Sequence, residues 1–427
     1  MLRALYNLIT ILIYIPFVCG IFLRRLFKKE HPVRFHEKFL FKSFKRPEGY
    51  LFWFHVASLG EFKSILPIIE FYLRKDKKYQ FLITTITLSS YNQFKKKFSG
   101  NKRVFHQFLP YDLNILIKSF LDNWKPNIIS FVDSEIWPNF IYEIKKRKIP
   151  FILLNGRITK KTFKRWMLVK AFAYDIFESF SLCIASSKES VEYLKLLKLK
   201  NIKYFGNIKF CSNVKNNNVD NSNQFNMVKN KKAWIALSTH QNEENFCFKV
   251  HRLIETVEKN VLTIIIPRHI NRVGKIYSQL NRPNIKIQIK NENDYIDKDS
   301  NIVLVNYYGL TEKYLSRIKN VFIGKSLVPS LAKVGGQNPI DAIKMGCKVY
   351  HGPFVYNFKE IYDYLDTNNF SEVINENDNV GPKKIAEKLI ESFNNNSEIS
   401  TNKVDEINNY SEQIFDNIIN EYSKFIK

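Results

Sequence analysis

The sequence lacks the features that mark several common function classes. Its five cysteines, Cys19, Cys183, Cys211, Cys247 and Cys347, stand far apart. There is no CxxC pair and no Cys/His cluster at zinc spacing, so neither a zinc module nor a disulfide framework is indicated. Isolated thiols fit a reducing compartment, here the cytosolic side of a membrane. GxGxxG is missing, which argues against a dinucleotide-binding dehydrogenase. GxxxxGK followed by Ser or Thr is missing, which argues against a P-loop NTPase. No internal sequence repeat is present. Acids are scarce, 40 Asp+Glu against 66 Lys+Arg, a formal charge of +26. Such a balance meets nucleic acid, an acidic lipid surface or phosphorylated substrates, or it serves solubility alone. A nucleic-acid binder should show a basic, aromatic-interleaved recognition unit, and none is found. Hydrophobic residues at 45% and charged residues at 25% are ordinary for a folded protein, and 427 residues suffice for two cores.

The first long apolar run is residues 4–23 (ALYNLITILIYIPFVCGIFL), which carries no charge. It has about the 20 residues that a helix needs to cross a bilayer core. Arg24, Arg25, Lys28 and Lys29 follow at once, and by the positive-inside rule they hold the rest of the chain in the cytoplasm. A cleaved signal peptide would need a shorter run and a small-residue cleavage site, which is missing. A helix lying in the membrane interface is the other reading. The α/β pattern starts only after residue 29, so neither core is expected to need this segment.

Short apolar runs rich in β-branched and aromatic residues follow at 50–58, 80–87, 104–110, 127–134, 150–157 and 182–187. They do not alternate, which suits parallel strands buried on both faces. Helical patterns separate them, as at 60–74, in the manner of βαβ units. An Asn-rich stretch at 213–230 interrupts the pattern and reads as a linker. Strands then resume at 233–239, 262–267, 285–289, 302–307, 320–324 and 348–351. The expected fold is α/β, two doubly wound Rossmann-like domains facing a cleft. The expected boundaries are 1–29 for the anchor and basic flank, 30–212 for the N-terminal acceptor domain and 231–427 for the C-terminal donor domain. The last helix is free to pack back on the N-terminal domain.

Ligands in such sheets sit beyond the carboxyl ends of the strands, and four motifs fall there. HVASLGE places Ser58 and Glu61 at a capping-box spacing, which explains both residues structurally; a carboxylate at that turn also suits a general base. DSEIWPN sets Asp133 and Glu135 beside Trp137, as a helix cap or as site lining. Arg268 and His269, followed by Arg272, end an apolar strand, where a guanidinium suits phosphate. GGQNPID offers Gly335 and Gly336 for close backbone approach, Asn338 as N-cap and Pro339 as first helical residue.

Taken together, these motifs resemble the 3-deoxy-D-manno-octulosonic acid (Kdo) transferase family. ITTITLSS, LPYD, NGRIT, GNIKF, LSTHQNEE, FIGKSL and GPFVYNF extend the likeness along the chain. The resemblance implies a GT-B glycosyltransferase that moves Kdo from CMP-Kdo to the 6'-hydroxyl of lipid IVA. It further implies inversion, no metal and no cofactor, at the cytoplasmic face of the bacterial inner membrane, whose anionic lipids become a partner. Glu61 matches the general base. Glu135 and Lys209 match positions that hold charge in the transition state. Arg268, His269, Gly309, Leu310, Thr311, Gly335, Gly336, Asn338 and Asp341 match the CMP site. Ser58, Ser238, Thr239, His240, Lys325 and Ser326 are further cleft candidates. The chain departs from the family at 306–310, where the two acids of Asp-Thr-x-Gly-Glu are missing. Asp341 stands for the usual Glu, and 328–334 is expanded. The rival readings are a nucleotide-sugar epimerase or hydrolase of the same architecture, a glycosyltransferase with another donor, and a membrane-tethered nucleic-acid binder.

Overall fold

A computed structural model describes residues 2–40, 44–212, 231–309, 311–374, 380–395 and 400–426. The Asn-rich stretch 213–230 and Leu310 lie outside the described residues. Two compact units result, one of Met1–Asn213 with Tyr410–Lys427, the other of Val214–Asn409.

The first unit carries a parallel sheet of β1 (Tyr50–Val56), β2 (Tyr79–Thr85), β3 (Val104–Phe108), β4 (Ile128–Val132), β5 (Phe151–Gly156), β6 (Leu182–Ala185) and β7 (Ile202–Lys203). Their order is β3-β2-β1-β4-β5-β6-β7. The second unit repeats the plan with β8 (Lys232–Thr239), β9 (Val261–Pro267), β10 (Ile287–Lys290), β11 (Ile302–Val305), β12 (Asn320–Ile323), β13 (Lys348–His351) and β14 (Ser371–Val373). The order there is β10-β11-β9-β8-β12-β13-β14, again parallel. Central strands such as β4, β9 and β11 are buried at every residue, which is why they read as unbroken apolar runs. The edge strands β7 and β14 were not expected; two and three residues are too few to show a pattern. In each sheet the connections leave in opposite directions from one central strand. The first sheet reverses between β1 and β4, the second between β8 and β12, and such reversals open a crevice at the strands' carboxyl ends.

The N-terminal helix, Leu2–Leu26, is long and apolar enough to cross a membrane. It is not separate from the body, as the sequence had suggested. One side packs on the first unit: the Tyr6 hydroxyl donates to buried Asp112 at 2.7 Å, and Phe17 stacks on Tyr111 with centroids 4.5 Å apart. Ile21 joins Phe35 and Phe39 in a small core. The basic flank folds back too, since Glu30 accepts from Arg24 at 2.7 Å and from buried Lys38 at 2.6 Å. The other side, with Leu5, Leu8, Leu12, Ile15 and Leu23, is exposed. From Tyr410 onward the last helix, Thr401–Ser423, belongs to the first unit. There Tyr422 is fully buried and stacks on Phe54, and Tyr410 packs edge-on against Phe210.

Candidate active site

At the first reversal, β1 runs into Ala57 and Ser58, and the helix Leu59–Lys75 begins. The N-cap half of the capping box forms: the Glu61 N–H donates to Ser58 Oγ at 3.3 Å, while the Glu61 carboxylate reaches the Ser58 hydroxyl, which donates to Oε1 at 2.7 Å, and not the Ser58 N–H. Glu61 Oε2 accepts from the Ala57 N–H at 2.7 Å. Glu61 is only 8% exposed. Burial, and then the charge of Asp133, push its carboxyl up to about 7, against the pull of the Ser58 and Ala57 hydrogen bonds. The cap and the raised basicity therefore coexist in one side chain.

Across the reversal, β4 is followed by Asp133, a non-glycine residue in the left-handed region with φ of 56°. Its carboxylate accepts from Lys209 Nζ at 3.2 Å and from the Asn155 amide. Lys209 thus enters the site as the counter-charge of Asp133. Glu135 Oε2 accepts from Trp137 Nε1 at 2.8 Å and faces His55 Nε2 at 3.3 Å. Burial works to raise the Glu135 carboxyl, yet the contacts with His55 and Trp137 outweigh it and hold the group below the usual range. The structure brings together Ser58, Glu61, Glu135 and Lys209, all expected here, and adds Asp133 and His55. Both additions sit inside motifs already visible in the sequence, but nothing in their spacing distinguished a functional acid from a cap.

At the second reversal the charge has the opposite sign. Left-handed residues again mark the strand ends, Ser238 at φ 60° and Lys325 at φ 58°. Strained non-glycine backbone of this kind is costly and concentrates at functional sites. Burial, and then the charges of Lys325, His269, Arg272 and Arg268, depress the His240 imidazole. Burial and the charge of Arg268 depress Lys325 in turn. Arg272 is already occupied by Glu244, which accepts from it twice, at 2.9 and 3.0 Å. The Arg268 and Lys325 side chains form no ion pair among the described residues. Two neighbouring cations without an acid favour binding of an anion. Ser238, Arg268, Tyr307, Tyr308, Gly309 and Thr311 line a pocket of about 90 Å³ there. The segment without the family's two acids therefore still lines the pocket.

Other expected residues have structural roles. Buried Thr239 donates to Glu244 at 3.0 Å. Buried Ser326 donates to the Ile323 carbonyl at 2.6 Å and accepts from the Gly352 N–H at 2.8 Å. Buried Glu243 was not foreseen; it accepts from the N–H groups of His240, Lys325, Ser326 and Leu327 and ties the two loops together. The close approach allowed by Gly335 is to protein backbone: a Cβ there would lie 2.0 Å from the Phe354 carbonyl oxygen. Gly336 takes φ of 94° and donates to the Lys325 carbonyl at 2.7 Å, which docks this loop beside the cations. Asn338 was expected as the N-cap with Pro339 as the first helical residue, but Pro339 takes the cap position with helical backbone, and Asn338 stands one residue before it, accepting from the Ile340 N–H at 3.1 Å. The short helix bearing Asp341 starts at Ile340, after Pro339.

The family profile described as 3-deoxy-D-manno-octulosonic-acid transferase (kdotransferase) matches residues 33–212. The Arabidopsis thaliana protein named "Probable 3-deoxy-D-manno-octulosonic acid transferase, mitochondrial" is 31% identical over 79% of this chain and 76% of its own. The 3-deoxy-D-manno-octulosonic acid transferase of Rickettsia bellii is 30% identical over 83% and 82%. Among solved structures, the UDP-GlcNAc 2-epimerase of Neisseria meningitidis bound to UDP-GlcNAc superposes with a TM-score of 0.56 at 12% identity, over 87% of this chain and all of that one. That likeness carries the GT-B fold and nothing about the reaction. The relatives decide the reaction: the chain belongs to the 3-deoxy-D-manno-octulosonic acid transferase family and is a glycosyltransferase that transfers Kdo.

Proposed function

We propose that the enzyme moves Kdo from CMP-Kdo to the 6'-hydroxyl of lipid IVA with inversion, by a single displacement. The acceptor oxygen forms the new bond to the anomeric carbon. The bond from that carbon to the CMP phosphate breaks, and CMP leaves with the electron pair. The acceptor proton passes to Glu61. The observation that carries this reading is the split between two neighbouring carboxyls, Glu61 pushed up to about 7 and Glu135 held low. Environments that drive paired acids apart assign their roles: the raised one exchanges a proton near neutral pH, while the low one stays an anion. An anion at Glu135 favours the positive charge that builds on the sugar ring, and Lys209 balances Asp133 so that the crevice is not overloaded with negative charge.

On the donor side, Arg268, His269, His240 and Lys325 are assigned to the phosphate and to the Kdo carboxylate. The pocket beside Gly309 and Thr311 is assigned to the cytidine. Gly335, Gly336, Asn338 and Asp341 are assigned to the CMP site as well, on the loop that docks at the Lys325 carbonyl. A phosphate leaving group is already a stabilised anion, so these cations suffice where a strong acid would otherwise be needed. We assign the N-terminal helix to the inner membrane. Arg24, Arg25, Lys28 and Lys29 face its anionic cytoplasmic surface, and the catalytic body lies on that side. Such an anchor brings the enzyme to an acceptor that is itself a lipid. Incubation with CMP-Kdo and lipid IVA, followed by mass spectrometry, tests the assignment. The expected product is lipid IVA heavier by one or more Kdo units. Consumption of CMP-Kdo with no acceptor present would favour the hydrolase reading instead.

A further inference from the structure

Behind Glu135 lies a buried polar chain that the mechanism above does not use. His55 is fully buried near the end of β1. Its Nδ1 lies 3.0 Å from Thr84 Oγ1 on β2, and its Nε2 lies 3.3 Å from Glu135 Oε2. Chemistry fixes the direction of these bonds. Trp53 Nε1 can only donate, and it donates to Thr84 Oγ1 at 2.9 Å. The Thr84 hydrogen is left for His55 Nδ1, since its alternative acceptor, the Phe54 carbonyl, is 3.5 Å away. With Nδ1 accepting, the imidazole hydrogen sits on Nε2 and points at Glu135; an imidazolium would also place one there. Phe131 packs edge-on against the ring, 5.1 Å between centroids, and limits its rotation. Glu135 Oε2 thus accepts from both His55 and Trp137, while Oε1 makes no hydrogen bond among the described residues.

We propose that His55, oriented by Thr84 and Trp53, is a positioning residue that keeps Glu135 ionised with Oε1 unengaged, so that Glu61 alone of the two takes up the acceptor proton. This rests on the reading that Glu135 acts as an anion. The groups around the pair are few. Ser58, the Ala57 N–H, Asp133 and the charge of Glu135 itself act on Glu61, His55 and Trp137 act on Glu135, and Lys209 neutralises Asp133. Without His55, the main influence that offsets burial at Glu135 is gone, only the Trp137 bond remains, and its carboxyl rises toward protonation. Two protons must then be lost before transfer, where one was enough.

The test is the pH dependence of kcat/KM for wild type, His55→Phe, His55→Gln and Glu135→Gln, using full-length enzyme with CMP-Kdo and lipid IVA. Wild type should show a one-proton acid limb. His55→Phe should show a two-proton limb displaced upward by about one pH unit, hence about tenfold slower turnover at neutral pH, recovering in base. His55→Gln, whose amide N–H can replace Nε2, should keep the one-proton limb. If the His55→Phe profile superimposes on wild type, or the Gln profile moves as far as that of Phe, the proposal is overturned. Unimpaired Glu135→Gln would instead overturn the underlying reading of Glu135. Impaired Glu135→Gln with an unmoved His55→Phe profile would retain that reading and reject His55. Should His55→Phe fail to fold, Thr84→Val, which removes only the hydroxyl that sets the tautomer, carries the same expected direction of shift, and an unmoved profile there overturns the proposal.

Discussion

The crevice after β1 and β4 gathers three carboxylates, Glu61, Asp133 and Glu135, with Lys209 paired to one of them. The crevice after β8 and β12 gathers Arg268, His269, His240 and Lys325. Its two acids, Glu243 and Glu244, are spent on backbone N–H groups and on Arg272. The same topology, with a left-handed residue after β4 as after β12, thus carries opposite charge. Strand order determines where a ligand can sit, and the side chains give each crevice its charge. The acidic one suits removing a proton, the basic one suits holding a phosphate.

Substitutions can break this contrast one side at a time. The largest effect is expected from Glu61→Gln, which keeps the cap but cannot accept a proton. Its kcat should fall about 10²-fold or more while CMP-Kdo binding, measured by calorimetry, stays unchanged. Because burial raises this carboxyl, its contribution to stability favours the protonated form, present in full below the unfolded value and lost as pH rises through about 7. Glu61→Gln should therefore melt higher than wild type above that pH. Arg268→Ala should act on the other crevice alone. Losing one charge-assisted contact is worth about 1.5–3 kcal/mol, so the donor KM should rise about ten- to a hundredfold, with the acceptor KM unmoved.

Smaller effects should separate the influences on Glu61. Asp133→Asn removes a charge that raises its pKa, so the acid limb of kcat/KM should move to lower pH. Ser58→Ala removes a hydrogen bond that lowers it, so the limb should move to higher pH, with a stability cost of about 1 kcal/mol from the lost cap. Displacements of the same sign in both variants would contradict the account of how Glu61 is tuned. Deleting residues 1–29 should lower the melting temperature of the first unit, because Phe35, Phe39 and Asp112 lose their cover. CMP-Kdo binding by the second unit should remain intact.

Much of this was legible in the sequence. Parallel strands announced themselves as non-alternating apolar runs, and the motifs fell at their carboxyl ends because ligands sit there. Ser58 and Glu61 could be read as a capping box; Ser58 caps the helix as that reading requires, while Glu61 reaches back to the Ala57 N–H. What stayed hidden depended on contacts distant in the chain. The burial and the Asp133 charge that raise Glu61 come from a strand some 70 residues away. Gly335 and Gly336 read as room for a ligand, but the backbone approaching them is that of Phe354 and Val355. Tyr6 looked like one more residue of an apolar run, and only the fold shows it capping Asp112 of LPYD. Thr239 and Ser326 lie in quoted motifs and point inward, a difference that motif position does not encode.

The most direct test of Glu61 as a base poised near neutrality is the pH profile of kcat/KM on lipid IVA for wild type and Glu61→Gln side by side. Wild type should rise with pH through an apparent pKa of about 7, and the variant should be slow with that limb gone. A wild-type limb near the ordinary glutamate value of about 4.3, or a limb near 7 that persists undiminished in Glu61→Gln, would contradict the assignment.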